Sequence, residues 1–239
     1  MKLKNLYGSL LICIAVAFCC AQVSAQVAGE EYLRDIRKEL TKEWPANRTI
    51  NLVFHGHSVP SGYFKTPEVR TLDAYPHQVL EELKAIYPTA VINMIVTSIG
   101  GENSQQGEKR FSKDVLVHHP DVLFIDYALN DRRIGPDKAR AATEKMIRKA
   151  LKRKIRVILL TPSPDLQVDI RTPGNELELF ARQIRDLAAR YRLGLADSYE
   201  GFRKLAAEGV DITGYMAQSN HPNRKGHSII AAEIVKYFK

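Results

Sequence analysis

A serine and two histidines follow an apolar run near residue 50. The stretch NLVFHGHSVPSGY, residues 51–63, leads from a strand-like segment into a turn of Gly, Ser and Pro that carries His57 and Ser58. A strand that stops at a small residue can present a hydroxyl at the edge of a sheet. A serine hydroxyl becomes a nucleophile when a base removes its proton, and histidine has a suitable pKa. The pattern favours nucleophilic chemistry if another segment supplies the base.

Three later segments carry groups that such chemistry needs. TSIGGENS contains Gly101, YALND contains Asn130, and QSNHPNRKGH contains His221 before a proline. A glycine lets its backbone N–H approach a ligand without Cβ obstruction, and a carboxamide is a second kind of donor. Donors of this kind stabilise the oxyanion of a tetrahedral intermediate. Together with Ser58, these segments contain the parts that acyl transfer requires.

These four segments resemble the four blocks of the SGNH hydrolase superfamily, the GDSL-type esterases and lipases, in the same order over residues 50–239. The closest resemblance in style is to secreted bacterial carbohydrate acetylesterases. The resemblance implies that Ser58 is the nucleophile and His221 the base. It also implies an oxyanion hole made of the Ser58 and Gly101 N–H groups and the Asn130 side chain. The implied fold is a flavodoxin-like, three-layer α/β/α sandwich around a five-stranded parallel sheet.

The sequence departs from the family pattern at three positions. His57 replaces the usual Asp, Ala128 replaces the usual Gly of the third block, and Gln218 replaces the acid three residues before His221. Without a carboxylate on Nδ1, the imidazolium that forms during attack loses a charge partner. The alternatives for a partner on Nδ1 are a backbone carbonyl, Gln218, Asp197 and Asp211.

Other polar residues near the blocks are open to two interpretations. His57 either contacts substrate or hydrogen-bonds the neighbouring loop, and Asp131 is expected to organise its own loop. None of the seven histidines is spaced from acids as in a metal site, and GGENSQQG lacks the lysine and the glycine spacing of a phosphate-binding loop. We therefore expect neither a metal nor a cofactor.

Five apolar runs of strand length alternate with longer amphipathic segments. Runs rich in Val, Ile and Leu are typical of parallel strands buried on both faces, so the pattern predicts an α/β fold with helices covering a parallel sheet. Loops at the carboxyl ends of such strands meet at one edge of the sheet. The first three blocks follow the first three runs, and the block with His221 precedes the last helical segment. The five runs are INLVFHG, AVINMIV, DVLFIDYAL, IRVILLTP and LGLADS.

The first 25 residues resemble a secretory signal peptide. Lys2 and Lys4 precede the apolar segment LLICIAVAFCC, and VSA at residues 23–25 fits a small-x-small cleavage site. The apolar segment is short for a membrane span. We expect export to the periplasm or the cell exterior, without stable membrane insertion after cleavage.

The cysteines bear on the same prediction. Cys13, Cys19 and Cys20 all lie inside the leader, so the exported form is expected to have neither a disulfide nor a thiol nucleophile. A lipid anchor at Cys19 or Cys20 is the alternative. It is disfavoured because Phe18 is bulky where lipoprotein signals carry a small residue.

The rest of the chain reads as one domain. No Gly/Ser linker, low-complexity tract or repeat interrupts residues 45–239. We predict an N-terminal helical extension over residues 26–47 and a catalytic domain over residues 48–239. The sequence does not define an oligomeric state.

The formal net charge of +8 raises the question of a nucleic-acid partner. The basic run from Lys138 to Arg156 carries apolar residues at helical spacing and no aromatic residues for base stacking. The run is better explained as the solvated face of an amphipathic helix, so we expect no nucleic-acid binding.

The expected function is an exported serine esterase that removes short acyl groups, most plausibly acetyl, from a small-molecule or polysaccharide ester. The absence of a long hydrophobic lid and the polar loop residues suit a sugar ester; these residues are Asn103, Gln105, Gln106, Arg132 and Arg133. The alternatives are a lysophospholipase or thioesterase that uses the same groups, and a carbohydrate-binding protein whose chemistry has decayed.

Overall fold

The computed structural model of the chain describes residues 27–239. The predicted signal peptide, residues 1–25, lies outside the described residues. A five-stranded sheet forms the centre, with every neighbouring pair parallel and the strand order β2-β1-β3-β4-β5. This is the flavodoxin-like order, and it confirms the predicted sheet. The strands are β1 (Thr49–Gly56), β2 (Val91–Val96), β3 (Val122–Asp126), β4 (Arg156–Leu160) and β5 (Gly194–Ala196).

Helices follow the strands in alternation, as the apolar periodicity predicts. Within the described range the α-helices are α1 (Arg34–Leu40), α2 (Ser58–Ser61), α3 (Tyr75–Ile86), α4 (Ser104–Asp114), α5 (Pro136–Lys152), α6 (Glu176–Tyr191), α7 (Ser198–Ala207) and α8 (Arg224–Val235). Short 3-10 helices occupy Glu30–Leu33, Thr71–Asp73, Leu116–His118, Asp131–Arg133, Ile212–Tyr215 and Lys236–Phe238.

The core has two parts, one on each face of the sheet. Alternate strand residues point to opposite faces, so Phe54 of β1 and Phe124 of β3 stack on one face, 4.2 Å apart, while Val53 and Leu123 enter the other cluster. Helices α1, α3, α7 and α8 pack on the first face, α4 and α5 pack on the second, and α6 contributes residues to both clusters. The predicted three-layer sandwich is confirmed.

One strand is less buried than its apolar sequence suggests. β2 reads as a continuous apolar run, yet Val91 is 47% exposed and most of the strand is only half-buried. β2 lies at one edge of the sheet and pairs only with β1. β5, at the other edge, is buried throughout, so an edge position alone does not determine burial.

Helix α4 begins at Ser104, directly after its cap residue. Asn103 caps its first turn: the Asn103 side chain accepts from the Gln106 N–H at 3.2 Å, and the Gln106 side chain accepts from the Asn103 N–H at 3.0 Å. This reciprocal capping box satisfies two backbone donors and places the start of the helix at Ser104.

A two-stranded antiparallel ribbon stands apart from the main sheet. Its strands are β6 (Met216–Gln218) and β7 (His221–Pro222), and Gln218 lies opposite His221. Helix α8 starts directly after the ribbon, where the Asn223 side chain accepts from the Lys225 and Gly226 N–H groups. The capped start of α8 thus anchors the ribbon close to the carboxyl edge of the sheet.

The end of β1 tolerates no side chain at Gly56. A Cβ at this position would lie 2.5 Å from the Asp126 carbonyl oxygen and 3.0 Å from Pro60. We predict that Gly56→Ala lowers the free energy of unfolding by about 1–3 kcal/mol through overpacking. Gly214→Ala is the control, because its Cβ would meet nothing within 4 Å. Urea unfolding of both variants tests this, and equal stabilities would contradict the packing argument.

Candidate active site

The serine and histidine singled out in the sequence meet at the carboxyl edge of the sheet. Ser58 opens the short helix α2 after β1, and His221 opens β7. The Ser58 Oγ lies 2.9 Å from the His221 Nε2, although the residues are 163 positions apart. Both are buried, with exposures of 7% and 8%. A hydroxyl and an imidazole are thus in hydrogen-bonding contact within a largely dehydrated site.

The tautomer of His221 follows from its second contact. The Phe64 carbonyl oxygen lies 3.3 Å from the His221 Nδ1. A carbonyl oxygen only accepts, so Nδ1 carries the proton, and Nε2 is the free acceptor for the Ser58 hydroxyl. This is the arrangement that a general base requires.

The pKa of His221 is lowered from its ordinary value. Burial is the main cause, since it penalises the charged imidazolium, and the proximity of His57 acts in the same direction. The Phe64 carbonyl opposes both, because it accepts from the protonated ring. The net effect favours the neutral imidazole.

The Phe64 carbonyl belongs to a hairpin, residues 62–70, which we call the 62–70 hairpin. It starts at Gly62, whose φ of +84° and 2.7 Å Cβ distance to the Arg70 oxygen both require glycine. The Phe64 N–H donates to the Glu68 oxygen at 3.0 Å, and the Arg70 guanidinium lies 3.7 Å from the centroid of the Phe64 ring. Its own contacts therefore define the shape of the hairpin.

The other predicted partners of Nδ1 lie elsewhere. The Gln218 side chain accepts from the Thr66 N–H at 3.1 Å. Asp197 caps α7 and pairs with Arg185 at 2.7 Å. Asp211 accepts from the Thr213 N–H and hydroxyl. Of the alternatives left open by the sequence, the backbone carbonyl is the one that contacts His221.

His57 points into the protein. Its ring is 1% exposed, and its Nδ1 accepts from the Val59 N–H at 3.2 Å. The proton therefore sits on Nε2, which faces the Asp126 carboxylate at 3.4 Å. The Tyr75 hydroxyl donates to the other oxygen of Asp126 at 3.0 Å. These contacts favour the second interpretation of His57, in which it supports the turn that carries Ser58.

His227, on α8, is a further member of this buried network. The Tyr75 N–H donates to the His227 Nδ1 at 3.2 Å. Burial lowers the pKa of His227 to about 4, against the opposing influence of Asp126. The ring is therefore neutral at physiological pH and acts as a structural acceptor.

The candidate oxyanion donors lie on the loops after β2 and β3. Gly101 adopts φ +79°, a left-handed conformation that favours glycine. The Asn130 side chain donates to the Glu102 carbonyl at 2.9 Å, which uses one of its two N–H groups and fixes the amide. One Asn130 donor thus remains for a ligand, and the assignment of the oxyanion hole stays a prediction.

Asp131 joins the same two loops. Its carboxylate accepts from the Ser104 N–H at 2.8 Å, at the start of α4. Burial raises the pKa of Asp131 to about 6, and the bond from Ser104 opposes the shift. The contact agrees with the expectation that Asp131 organises its loop.

Tyr63 was not singled out in the sequence, yet it borders the site. Its ring packs so closely against Gly100 that a Cβ there would lie 2.8 Å from it. The Tyr63 and His221 ring centroids are 5.9 Å apart, and Tyr63 is 39% exposed. Tyr63 therefore narrows the space between the histidine and the glycine loop. Ile99, beside that loop, is a partly exposed apolar residue.

A further buried histidine, His55, belongs to a separate network on β1. Its ring contacts the Thr97 hydroxyl at 3.0 Å, the Gly107 carbonyl at 3.2 Å and the Tyr127 hydroxyl at 3.2 Å. Burial above all lowers its pKa to about 3. Among residues 27–239, no group of three or more His, Cys, Asp or Glu side chains is placed to hold a metal ion.

Comparisons with known proteins agree with this geometry. The profile of the GDSL-like lipase/acylhydrolase family matches residues 54–229. A two-domain esterase (CEX) active on acetylated mannans, co-crystallised with mannopentaose, is 24% identical with a TM-score of 0.71; the match covers 89% of this chain and 55% of that one. Axe2, an acetylxylan esterase from Geobacillus stearothermophilus, is 20% identical with a TM-score of 0.69; the match covers 79% of this chain and 94% of that one.

The coverage and the sequence identity of these matches determine which conclusions they support. The chain spans about half the length of the mannan-active esterase. No functionally curated protein matches the chain significantly. At identities below 25%, the solved structures establish a shared fold.

We predict that His221 titrates below the ordinary histidine pKa of about 6.5. Its folded pKa is lowered, so the neutral ring persists to lower pH than in an exposed histidine. NMR titration of the imidazole, assigned from the signal that disappears in His221→Ala, measures the midpoint. A midpoint at or above that of a free histidine would contradict the argument from burial.

Proposed function

The chain belongs to the GDSL-like lipase/acylhydrolase family, and from this premise we propose that it is a serine esterase that removes acetyl groups from a carbohydrate. The observation that carries the proposal is the 2.9 Å contact between the Ser58 Oγ and the His221 Nε2. The Phe64 carbonyl on Nδ1 supports it, because it leaves Nε2 free to accept the serine proton.

The proposed reaction has two halves. In the first, His221 takes the proton of Ser58, and the Ser58 Oγ attacks the ester carbonyl carbon. The Ser58 and Gly101 N–H groups and the Asn130 side chain stabilise the oxyanion. His221 then gives its proton to the departing sugar oxygen, which leaves an acetyl-serine. In the second half, His221 deprotonates a water that attacks the acetyl carbon, and it then returns this proton to the Ser58 Oγ as the bond between Oγ and the acetyl carbon breaks and acetate leaves.

The carbohydrate part of the proposal rests on similarity in fold and on the loops. CEX is described as active on acetylated mannans and Axe2 as an acetylxylan esterase. Two Axe2 structures are described as catalytic mutants, one of a serine and one of a histidine. These descriptions concern the similar proteins and support the same chemistry here.

Fewer of the polar loop residues are available to contact a sugar substrate than the sequence suggests. Asn103 and Gln106 are used to cap α4, and Arg132 pairs with Asp165 at 2.7 Å. Gln105 and Arg133 remain exposed. Arg133 also donates to the Gly101 carbonyl at 3.4 Å, so four of the five expected polar residues already have structural contacts.

Tyr63 supports a short acyl group. Its ring lies between Gly100 and His221, which limits the width of the site beside Ser58. The exposed Ile99 is the observation that favours the alternative, a lysophospholipase or thioesterase with a longer acyl chain. The hydrogen bond between Ser58 and His221 weighs against a decayed, purely binding protein.

The place of action follows from the predicted signal peptide. Export to the periplasm or the cell exterior would bring the enzyme to polymeric carbohydrate. In the described part of the chain, residues 27–239, no helix has the length and apolarity to cross a membrane.

We predict acetate release from acetylated mannan or acetylated xylan by the wild-type protein. Ser58→Ala should lower the rate by roughly 10⁴-fold or more, because the nucleophile is lost. Acetate assays on both polymers test this, with thermal unfolding of Ser58→Ala as the control for folding. Undiminished release by the variant would contradict the assigned nucleophile. A wild-type protein inactive on all short esters would contradict the enzyme.

We further predict that p-nitrophenyl acetate is preferred over the octanoate. Tyr63→Ala should reduce the preference by roughly 10-fold or more, since a removed ring makes room for a longer chain. The ratio of kcat/KM for the two esters is the measurement. A wild-type preference for octanoate would favour the lysophospholipase alternative, and an unchanged ratio in Tyr63→Ala would exclude Tyr63 as the limit.

A further inference from the structure

Gln218 and His221 lie directly opposite each other on the β6–β7 ribbon. Side chains of opposite residues in an antiparallel pair project from the same face. Both reach the 62–70 hairpin. The His221 Nδ1 donates to the Phe64 carbonyl at 3.3 Å, and the Gln218 Oε1 accepts from the Thr66 N–H at 3.1 Å. The ribbon therefore touches the hairpin at two points, two residues apart.

The two contacts differ in what they do. The contact of His221 orients the ring, but it is long and depends on where the hairpin lies. Gln218 binds a backbone N–H, and its Oε1 also lies 3.4 Å from the Thr66 hydroxyl. Its amide thus attaches the hairpin to the ribbon beside the histidine.

The hairpin needs such an attachment. Residues 65–70 are exposed, and the bond from Phe64 to Glu68 and the stacking of Arg70 on Phe64 hold the hairpin only to itself. These internal contacts set its shape. At its start the Tyr63 N–H donates to the Ser58 carbonyl at 3.2 Å, and in its exposed part Thr66 bonds to the ribbon through Gln218.

We propose that Gln218 is a positioning residue that acts through Thr66 to hold the Phe64 carbonyl against the Nδ1 of His221. The proposal rests on the Ser58–His221 chemistry proposed above. Gln218 stands where the family has an acid, and its longer side chain reaches past the histidine to the hairpin. It contributes an acceptor without adding a negative charge beside the ring.

Three variants test this. Gln218→Met keeps the length of the side chain and removes the amide acceptor, so kcat should fall by about 10- to 100-fold with KM nearly unchanged, as expected for a misplaced base. Gln218→Glu keeps an acceptor for the Thr66 N–H, so it should retain most of kcat. The acid limb of the pH–activity profile of Gln218→Glu should move to higher pH, because a carboxylate near the ring favours the imidazolium.

Gln183→Met is the matched control. Gln183 on α6 also makes one side-chain bond to a backbone group, donating to the Pro136 carbonyl at 2.8 Å. The same substitution there should leave kcat within about 2-fold, as is usual for surface changes away from a site. A loss equal to that of Gln218→Met would overturn the proposal.

A readout independent of turnover is the ¹⁵N NMR signal of the His221 ring, assigned by its absence in His221→Ala. The wild type and Gln218→Glu should show a proton on Nδ1, and Gln218→Met should show a mixture of tautomers. Wild-type kcat and tautomer in Gln218→Met would overturn the proposal, as would equal damage by Glu and Met. If the wild type hydrolyses no ester, the proposed function fails, and the tautomers still decide the role of Gln218.

Discussion

The hydrogen bond between the Ser58 hydroxyl and the His221 imidazole is the contact on which the site depends. It joins the first strand of the sheet to a ribbon near the end of the chain. Different contacts position the two partners. The tight packing of Gly56 against β3 positions Ser58, and the ribbon together with α8 positions His221. The parallel sheet makes the meeting possible, because it brings the carboxyl ends of distant strands to one edge.

The partner behind His221 is a dipole and not an ion. The Phe64 carbonyl is sufficient to place the proton on Nδ1, so the tautomer is defined as in a triad. It stabilises the imidazolium less than a carboxylate would, and burial lowers the pKa of the ring further. In the proposed reaction, His221 would therefore stay neutral to lower pH than an ordinary histidine, but it would be a weaker base than one paired with an acid.

Much of the fold and of the candidate site can be predicted from the sequence. The apolar periodicity predicts the sheet and its helices. Three of the short blocks follow β1, β2 and β3, whose carboxyl ends meet at one edge, whereas the meeting with the fourth block is implied by the resemblance to the family. The partner of His221 is different: a backbone carbonyl has no residue type, so no motif marks Phe64. The roles of Asn103 and Gln106 were also hidden, because a helix cap and a ligand contact use the same side chains. The partial exposure of β2 is not marked either, because its apolar run reads like that of a buried strand.

The departures at positions 57 and 218 have a common electrostatic consequence. Each replaces a carboxylate of the family pattern by a group that is neutral in this structure: His57 accepts from the Val59 N–H, and Gln218 accepts from the Thr66 N–H. Both side chains thus accept from backbone N–H groups without adding a negative charge near the reacting pair. A site with less negative charge stabilises an imidazolium poorly, but it opposes a developing oxyanion less. In the proposed reaction, the stabilisation of the transition state would then fall more heavily on the predicted donors, the Ser58 and Gly101 N–H groups and the Asn130 side chain, than in a triad with an acid.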